Sequence, residues 1–152
     1  MIMYYLLFLF IIIICSIPIS VSAITTTTIP QKTVGNVTGI ITKIRDADTI
    51  EAFIPSVNKT IAIRFALVNT PEIWTLDGKI AKVFTSNQCP VGSAILFDPD
   101  RGQYKSYNRN VGIVYCMKYT NLSELLLEQK VGILSGSFCA KSEFRLLNWT
   151  GC

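Results

Sequence analysis

Residues 37–68 read VTGIITKIRDADTIEAFIPSVNKTIAIRFALV, and this stretch decides the fold. Three runs rich in β-branched residues, 37–44, 49–54 and 60–68, are separated by an Asp-Ala-Asp turn and by a turn that begins at Pro55. Apolar, β-branched runs bounded by turn residues are typical of strands. The pattern therefore predicts three consecutive antiparallel strands.

The third run contains an arginine between apolar residues. Every second residue from Ile61 to Leu67 is apolar, and Arg64 falls between two of them. Because side chains alternate along a strand, these apolar residues are expected to share one face, with Arg64 on the other. Arg64 should then point away from the main apolar row.

A short helix is predicted after the three strands. Ile80, Val83 and Phe84 recur at helical spacing within residues 77–87, and Asp77 is a candidate N-cap. The spacing predicts that these three apolar residues face the core.

Two further strands and two further helices complete the predicted order. Residues 94–97 and 111–116 read as strands on either side of a long polar loop. A capping box at Asn121 begins an amphipathic helix that includes Ile133 and ends at Gly136, and a short third helix follows.

The element order is β-β-β-α-β-β-α-α, which indicates an α+β chain built on a β-barrel. Three strands, a helix and two more strands is the order of a five-stranded OB-fold, whose barrel offers one face to nucleic acids or sugars. An SH3-like barrel is the near alternative, and the helix between the third and fourth strands argues against it.

The N-terminal segment has the layout of an export signal. Residues 1–15 form a dense apolar block, and the small residues Val21-Ser22-Ala23 suit a cleavage site after Ala23. We predict a signal peptide or membrane anchor over 1–23, a flexible Thr-rich linker over 24–36 and one domain over 37–152. The protein is expected to be secreted, or anchored on the outer face of the cytoplasmic membrane.

Composition excludes several chemistries. The chain has no histidine, which excludes His-based triads, His general bases and His metal ligands. Its formal net charge of +4 suits a polyanionic partner without requiring one. Catalysis would have to use carboxylates, Arg, Lys or a metal ion.

Four cysteines lie beyond the leader, an even number in a predicted exported protein: Cys89, Cys116, Cys139 and Cys152. Three pairings are possible, and we favour Cys89 with Cys116 and Cys139 with Cys152, because each would join neighbouring elements. A disulfide that closes a loop of this size contributes on the order of 2–4 kcal/mol to the free energy of unfolding.

Four Asn-x-Ser/Thr sites, typical of an exported glycoprotein, begin at Asn36, Asn58, Asn121 and Asn148. Glycosylation of Asn121 would compete with its predicted role as a helix cap. This site is therefore the least favoured of the four.

Three clusters contain polar residues that are unusual in a barrel core: Asp46-Ala47-Asp48-Thr49, then Arg64 followed by Asn69-Thr70-Pro71-Glu72, and Tyr107-Asn108-Arg109-Asn110. The first two are rich in oxygen ligands, which suit a hard cation such as Ca²⁺. The two arginines suit a phosphate, because a guanidinium matches phosphate oxygens with paired donors.

These clusters resemble the marks of the micrococcal nuclease (thermonuclease) family. That family carries an Asp-Gly-Asp-Thr turn, an Arg-x-x-x-x-Asp-Thr-Pro-Glu segment and a Tyr-Gly-Arg-x segment, in that order, on an OB barrel. The similarity extends over roughly residues 37–149. Each motif alone is weak, and their joint order and spacing carry the resemblance.

The resemblance implies a calcium site. Asp48, Asn69 and the carbonyl of Thr70 match the protein ligands of the family. Asn69 stands where the family has Asp, so the site keeps a carbonyl ligand but loses a negative charge, and calcium binding is expected to be weaker. Ala47 and Asn108 replace glycines, so the first turn is expected to be reshaped.

The resemblance also implies a reaction. Glu72 would act as general base toward water, while Arg64 and Arg109 would hold the scissile phosphate and stabilise its developing charge. Family members cleave DNA and RNA to 3′-phosphate products. The alternative is a non-catalytic exported OB module that binds nucleic acid; in either case we expect a monomer.

Other residues are candidates for substrate binding. Tyr104 and Tyr107 could stack on bases and Lys105 could contact the phosphate backbone, with local packing as the alternative for both tyrosines. The chain is shorter than the family where its nucleotide-stacking tyrosines lie. Phe138 is a candidate equivalent, although core packing is the favoured role for it.

Overall fold

The computed structural model describes residues 36–116 and 119–152. The predicted leader and all but the last residue of the predicted linker lie outside the described residues. The fold below is that of the predicted domain.

Five strands form a closed barrel: β1 (Val37–Asp46), β2 (Thr49–Ile54), β3 (Lys59–Phe65), β4 (Ala94–Pro99) and β5 (Arg109–Cys116). β1 pairs antiparallel with β2 and β4, β2 with β3, and β4 with β5. A parallel pairing of β3 with β5 closes the barrel. The predicted OB-type barrel with helices is therefore confirmed.

The barrel supports two apolar clusters. Ile63 and Phe65 of β3 belong to the larger one. The chain turns after Phe65, with Leu67 at φ 65°, so that Leu67 packs in the second cluster instead. The prediction that Leu67 shares a face with Phe65 is thus wrong, because the strand ends two residues earlier. Arg64 lies away from the larger cluster, as the alternation predicts.

Helix α1 (Leu76–Gln88) faces the barrel with small residues. Its N-cap is Thr75, whose hydroxyl accepts a hydrogen bond from the amide of Gly78, and not the predicted Asp77. Gly78, Ala81 and Thr85 are buried, whereas Ile80 and Val83 are exposed. The prediction that Ile80 and Val83 face the core is therefore wrong.

The C-terminal helices are shorter than predicted. Helix α2 (Leu122–Glu128) has the predicted cap, because the Asn121 side chain accepts from the amides of Ser123 and Glu124. It ends before the predicted Ile133, which instead forms a two-residue strand, Ile133–Leu134. Gly136 begins helix α3 (Gly136–Cys139) instead of ending α2. A 3-10 turn, Glu143–Leu146, occupies part of the predicted third helix.

The favoured cysteine pairing is confirmed. Disulfides join Cys89 to Cys116 and Cys139 to Cys152, with Cα atoms 5.9 Å and 5.4 Å apart. Asn121 is buried and occupied as a cap, consistent with its low rank as a glycosylation site. No helix within residues 36–116 and 119–152 is both long and apolar enough to cross a bilayer.

Candidate functional site

One pocket of about 510 Å³ lies where the turn between β1 and β2, the end of β3 and the start of β5 meet the segments after β3 and α2. Its charged and polar lining residues are Asp46, Asp48, Arg64, Asn69, Thr70, Glu72, Arg109 and Lys130. The structure thus brings together every residue for which the sequence predicts a catalytic or metal-binding role.

Asp48 is the most connected carboxylate of the pocket. It is buried, and its Oδ2 accepts from both the amide and the hydroxyl of Thr70 at 3.0 Å. Its Oδ1 accepts from the hydroxyl of Thr49 at 3.1 Å. The adjacent Ala47 carbonyl accepts from Thr85 of α1 at 2.7 Å, which fixes the turn against the helix.

Arg64 lies buried against Asp48. Its Nη2 is 3.0 Å from Asp48 Oδ2 and donates to Asn69 Oδ1 at 2.5 Å, while Nη1 donates to the carbonyl of Phe65 at 2.8 Å. The guanidinium carbon lies 5.7 Å from the centroid of the Phe138 ring. Burial lowers the pKa of Arg64, and the Asp48 carboxylate opposes that change. Both terminal nitrogens of this arginine are therefore engaged by protein groups.

Arg109 reaches the pocket from the hairpin that begins β5. Its Nη1 donates to the Thr49 hydroxyl at 3.2 Å, and its other donors reach Ser106 at 3.4 Å. Its guanidinium also lies 5.8 Å from the Tyr107 ring centroid. Since the same Thr49 hydroxyl donates to Asp48, one hydroxyl links the second arginine to the buried carboxylate.

Glu72 is exposed, and its backbone is fixed by the start of α1. Its carbonyl accepts from the amide of Thr75 at 2.9 Å and from the Thr75 hydroxyl at 2.7 Å. A Cβ added to Gly78 would stand 1.9 Å from the same carbonyl, so only glycine allows this close approach. The loop is held while the Glu72 carboxylate stays open to solvent.

Asp46 is a further carboxyl group of the pocket. Its Oδ1 accepts from the amide of Asp48 at 3.2 Å. Burial, and next the negative charge of Asp48, raise the pKa of Asp46 from 3.8 to about 6. Burial and a neighbouring negative charge both disfavour the ionised form of Asp46.

The pocket has a wall that sequence reasoning missed, formed by residues 130–133. Lys130 takes a left-handed conformation, φ 56°, after α2. A Cβ on Gly132 would stand 2.6 Å from Val68 and 2.9 Å from the carbonyl of Asn69. We predicted a continuous helix here, and Gly132, within that predicted helix, is the signal that could have revealed the close approach.

The predicted substrate-binding residues lie beside the pocket and do not line it. Tyr104, Lys105 and Tyr107 are exposed on the segment that leads to Arg109, and Tyr107 is 91% exposed. Their substrate roles stay predictions. Phe138 is buried in the second cluster, which accords with core packing.

The glycine replacements are accommodated in two ways. Ala47 is fully buried and is not among the residues with positive φ. In the hairpin it is Tyr107, at φ 55°, and not Asn108, that takes the left-handed conformation. The turn that carries Asp48 therefore does not require a glycine.

The donor set of the pocket suits a hard cation. Asp48 Oδ2 and Asn69 Oδ1 already converge on one positive group, the Nη2 of Arg64. Both ligands are oxygen atoms, which fits calcium chemistry. Within the described part of the chain, no group of three or more acidic or cysteine residues is arranged to hold a metal ion. The predicted side-chain ligands, Asp48 and Asn69, amount to one carboxylate and one amide, a weakly charged set.

Fold and pocket together define an OB-type barrel with a mixed-charge pocket at one edge. Comparison of the chain with protein families and with curated proteins gives no match.

Proposed function

We propose that this protein is an exported, calcium-dependent nuclease that hydrolyses DNA and RNA to 3′-phosphate products, as the resemblance to the micrococcal nuclease family implies. One observation carries the proposal. Asp48, Arg64, Glu72 and Arg109 come from separate elements and line one solvent-open pocket. A pure binding surface has no need for an open carboxylate in the same pocket as two guanidinium groups.

The two arginines would bind the scissile phosphate. Guanidinium groups match phosphate oxygens with paired donors and remain charged at any working pH. Arg109 is half-buried and its hydrogen bonds go to hydroxyl and carbonyl oxygens, so its donors can turn toward a substrate. Charge that builds on the phosphate oxygens in the transition state is stabilised by such fixed cations.

Glu72 would accept the proton of the attacking water. Its exposed carboxylate lines the same pocket as both arginines. Its backbone carbonyl is hydrogen-bonded to Thr75, so the carboxylate is attached to a fixed backbone. A positioned general base of this kind contributes about 10²- to 10⁴-fold to a rate.

Asp48, Asn69 and the Thr70 carbonyl would hold calcium, which when bound supplies Lewis-acid stabilisation of the phosphate. Asp48 would contribute the only carboxylate of these three ligands. Arg64 bridges Asp48 and Asn69, so it must release at least one of them when the ion binds. We therefore expect weak calcium affinity.

The second candidate is a binding module without catalysis. Both terminal nitrogens of Arg64 are engaged by protein groups, which favours a structural role for this residue. In such a module Arg109 and Lys130 would be the pocket cations that contact phosphates.

A cleavage assay separates the two candidates. Purified protein is incubated with end-labelled single-stranded DNA or RNA, with calcium or with a chelator, and cleavage and binding are measured in parallel. We expect calcium-dependent cleavage that Glu72→Gln lowers by about 10²-fold or more while binding persists. Glu128→Gln, an exposed carboxylate at the end of α2, is the matched control and should change nothing. Binding without cleavage in the unaltered protein would establish the binding module instead.

A further inference from the structure

Helix α1 turns its large apolar side chains to solvent. Leu76, Ile80 and Val83 are 73%, 60% and 58% exposed, and Trp74, just before the helix, is 74% exposed. Successive helical residues are about 100° apart, so the three helix residues lie within about 60° of one another. They form one stripe, opposite the buried face of Gly78, Ala81 and Thr85. We name Trp74, Leu76, Ile80 and Val83 the α1 stripe.

The packing of the barrel does not account for this stripe. Small residues on the buried face let α1 approach the barrel closely, as the contact between Gly78 and the Glu72 carbonyl requires. Single exposed apolar residues are normal on protein surfaces, whereas a contiguous set marks a contact surface. The outer side of α1 thus has the character of a binding face.

The charge beside the stripe identifies the kind of partner. Lys79 and Lys82 follow one flank of the stripe on the helical wheel, and Lys79 is exposed. A helix with Trp and aliphatic residues on one side and lysines at its flank suits the interface of a bilayer with anionic headgroups. The indole of Trp74 suits the same depth, because it combines an apolar ring with a polar N–H.

The rest of the chain is compatible with a membrane partner. The predicted leader, residues 1–23, is apolar, and the segment 24–35 after it spans up to about 40 Å when extended. A domain of this size has a radius of gyration of about 13 Å. A retained leader would therefore let any face of the domain reach the same bilayer.

A second copy of the chain is a weaker explanation. A stable interface buries roughly 800 Å² on each partner, and a single ridge of four side chains is small against that area. A bilayer makes no such demand, because each inserted side chain contributes independently.

We propose that α1 lies on an anionic phospholipid surface and inserts the side chains of the α1 stripe into it. This contact is independent of the proposed nuclease function. It would place the candidate site near the membrane surface, since the Glu72 carbonyl is bonded to Thr75 at the start of the same helix.

The test uses the fluorescence of Trp74 in the full chain. Trp149→Phe leaves Trp74 as the single tryptophan. Vesicles contain phosphatidylcholine with or without phosphatidylserine, and their acyl chains are brominated so that they quench only an inserted indole. Vesicle attachment through the N-terminal segment is common to all variants, so quenching reports the position of α1 alone.

We expect strong quenching of Trp74 in vesicles that contain phosphatidylserine. Leu76→Ser, Ile80→Ser and Val83→Ser together should lower the inserted population on the order of 100-fold, because three apolar side chains no longer enter the bilayer. Lys79→Gln with Lys82→Gln should lower it about tenfold and remove the preference for phosphatidylserine. Four of these five positions are exposed and Lys82 is half-buried, so folding of each variant is checked by near-ultraviolet circular dichroism.

Three results would overturn the proposal. Trp74 could stay as accessible to aqueous iodide with vesicles as without them. Its emission could shift with protein concentration in the absence of lipid, which would assign the stripe to a second copy. It could be protected at all concentrations without lipid, which would assign the stripe to residues 1–35. Cleavage of DNA in lipid-free solution is measured on the same variants, so failure of the nuclease proposal is recognised separately.

Discussion

The two arginines of the pocket stand in opposite environments. Arg64 is 5% exposed and lies between Asp48, Asn69 and the Phe138 ring. Arg109 is half-buried on an exposed hairpin, where it donates to neutral oxygen atoms and lies against the Tyr107 ring. Arg64 is part of the folded core, whereas Arg109 lies at the surface of the domain.

The contrast shows how one pocket can combine rigidity with adaptability. A buried ion pair fixes its arginine, because a lone charge left inside the protein is costly. An arginine with neutral partners loses little when it exchanges them for a phosphate. We therefore expect Arg64 to act on both stability and function, and Arg109 on function alone.

The largest effect is expected from Arg64→Met. This change keeps an apolar chain over Phe138 but leaves Asp48 buried without its cation, so the free energy of unfolding should fall by about 3–5 kcal/mol. Urea unfolding in a chelator measures it. Arg45→Met, which breaks the exposed pair with Glu51 at 2.8 Å, is the matched control and should change stability by less than about 1 kcal/mol.

A double variant sharpens this prediction. Asp48→Asn combined with Arg64→Met removes both charges, so part of the lost stability should return. Equal and additive losses from the two single changes would show that the buried pair contributes nothing as a pair.

Next in size is Arg109→Ala, which tests the other side of the contrast. Cleavage should fall by about 10²-fold, equivalent to ~3 kcal/mol in activation free energy, because a cation that stabilises the transition state is lost. The free energy of unfolding should change by less than about 0.5 kcal/mol. Lys59→Ala, an exposed cation at the start of β3 that does not line the pocket, is the control. A stability loss as large as that of Arg64→Met would remove the distinction between the two arginines.

The disulfide between Cys139 and Cys152 should affect the position of Arg64 but not that of Arg109. Cys139→Ser with Cys152→Ser opens a loop of sequence separation 13 and should cost about 2 kcal/mol of stability. Because Cys139 follows Phe138 directly, a looser ring should let Arg64 move and raise the KM for DNA. The hairpin of Arg109 should be unaffected, so phosphate protection of Arg109 against a guanidine-modifying reagent should match that in the unaltered protein.

The sequence predicts the barrel and the cysteine pairing well for a physical reason. Strand alternation and turn residues are local signals, and residues 37–68 contain three strands with both turns. The convergence of distant residues in the pocket then follows from the strand order. The burial of Arg64 could not be predicted, since its partner ring, Phe138, belongs to a segment whose path depends on the end of α2.

The prediction of which face of helix α1 is buried was wrong for a physical reason. Periodicity identifies a helix from Ile80, Val83 and Phe84 but does not say which face is buried when small residues occupy the opposite side. Here Gly78 decides the orientation, because only its face can approach the Glu72 carbonyl. Because the small residues of α1 are buried, its large apolar residues are exposed and form the α1 stripe.

A smaller effect is expected on calcium affinity when the side chain beside Arg64 is changed. Asn69→Asp adds a carboxylate beside Arg64 Nη2 and should lower the Kd for calcium by about tenfold, because ligand charge sets affinity. Isothermal titration calorimetry without substrate measures the change. Asn108→Asp makes the same chemical change on the hairpin of Arg109 and should leave the Kd unaltered. Equal effects at both positions would mean that general electrostatics, and not ligation, is responsible.

The smallest effect concerns Asp46, which shares a turn with Asp48 but lacks its ion pair with Arg64. Its pKa is raised from 3.8 to about 6, first by burial and then by Asp48. The folded state therefore binds this proton more tightly than the unfolded state, and stability falls as pH rises from about 4 to 6. Asp46→Asn removes the loss: in a chelator it should add on the order of 1 kcal/mol at pH 8, after allowance for solvent screening, and almost nothing at pH 4. Asp48→Asn should act in the opposite direction at pH 8, because it breaks the pair with Arg64. If urea unfolding gave both changes the same sign at pH 8, the two carboxyl groups would share one environment, and the cation of Arg64 would not distinguish them.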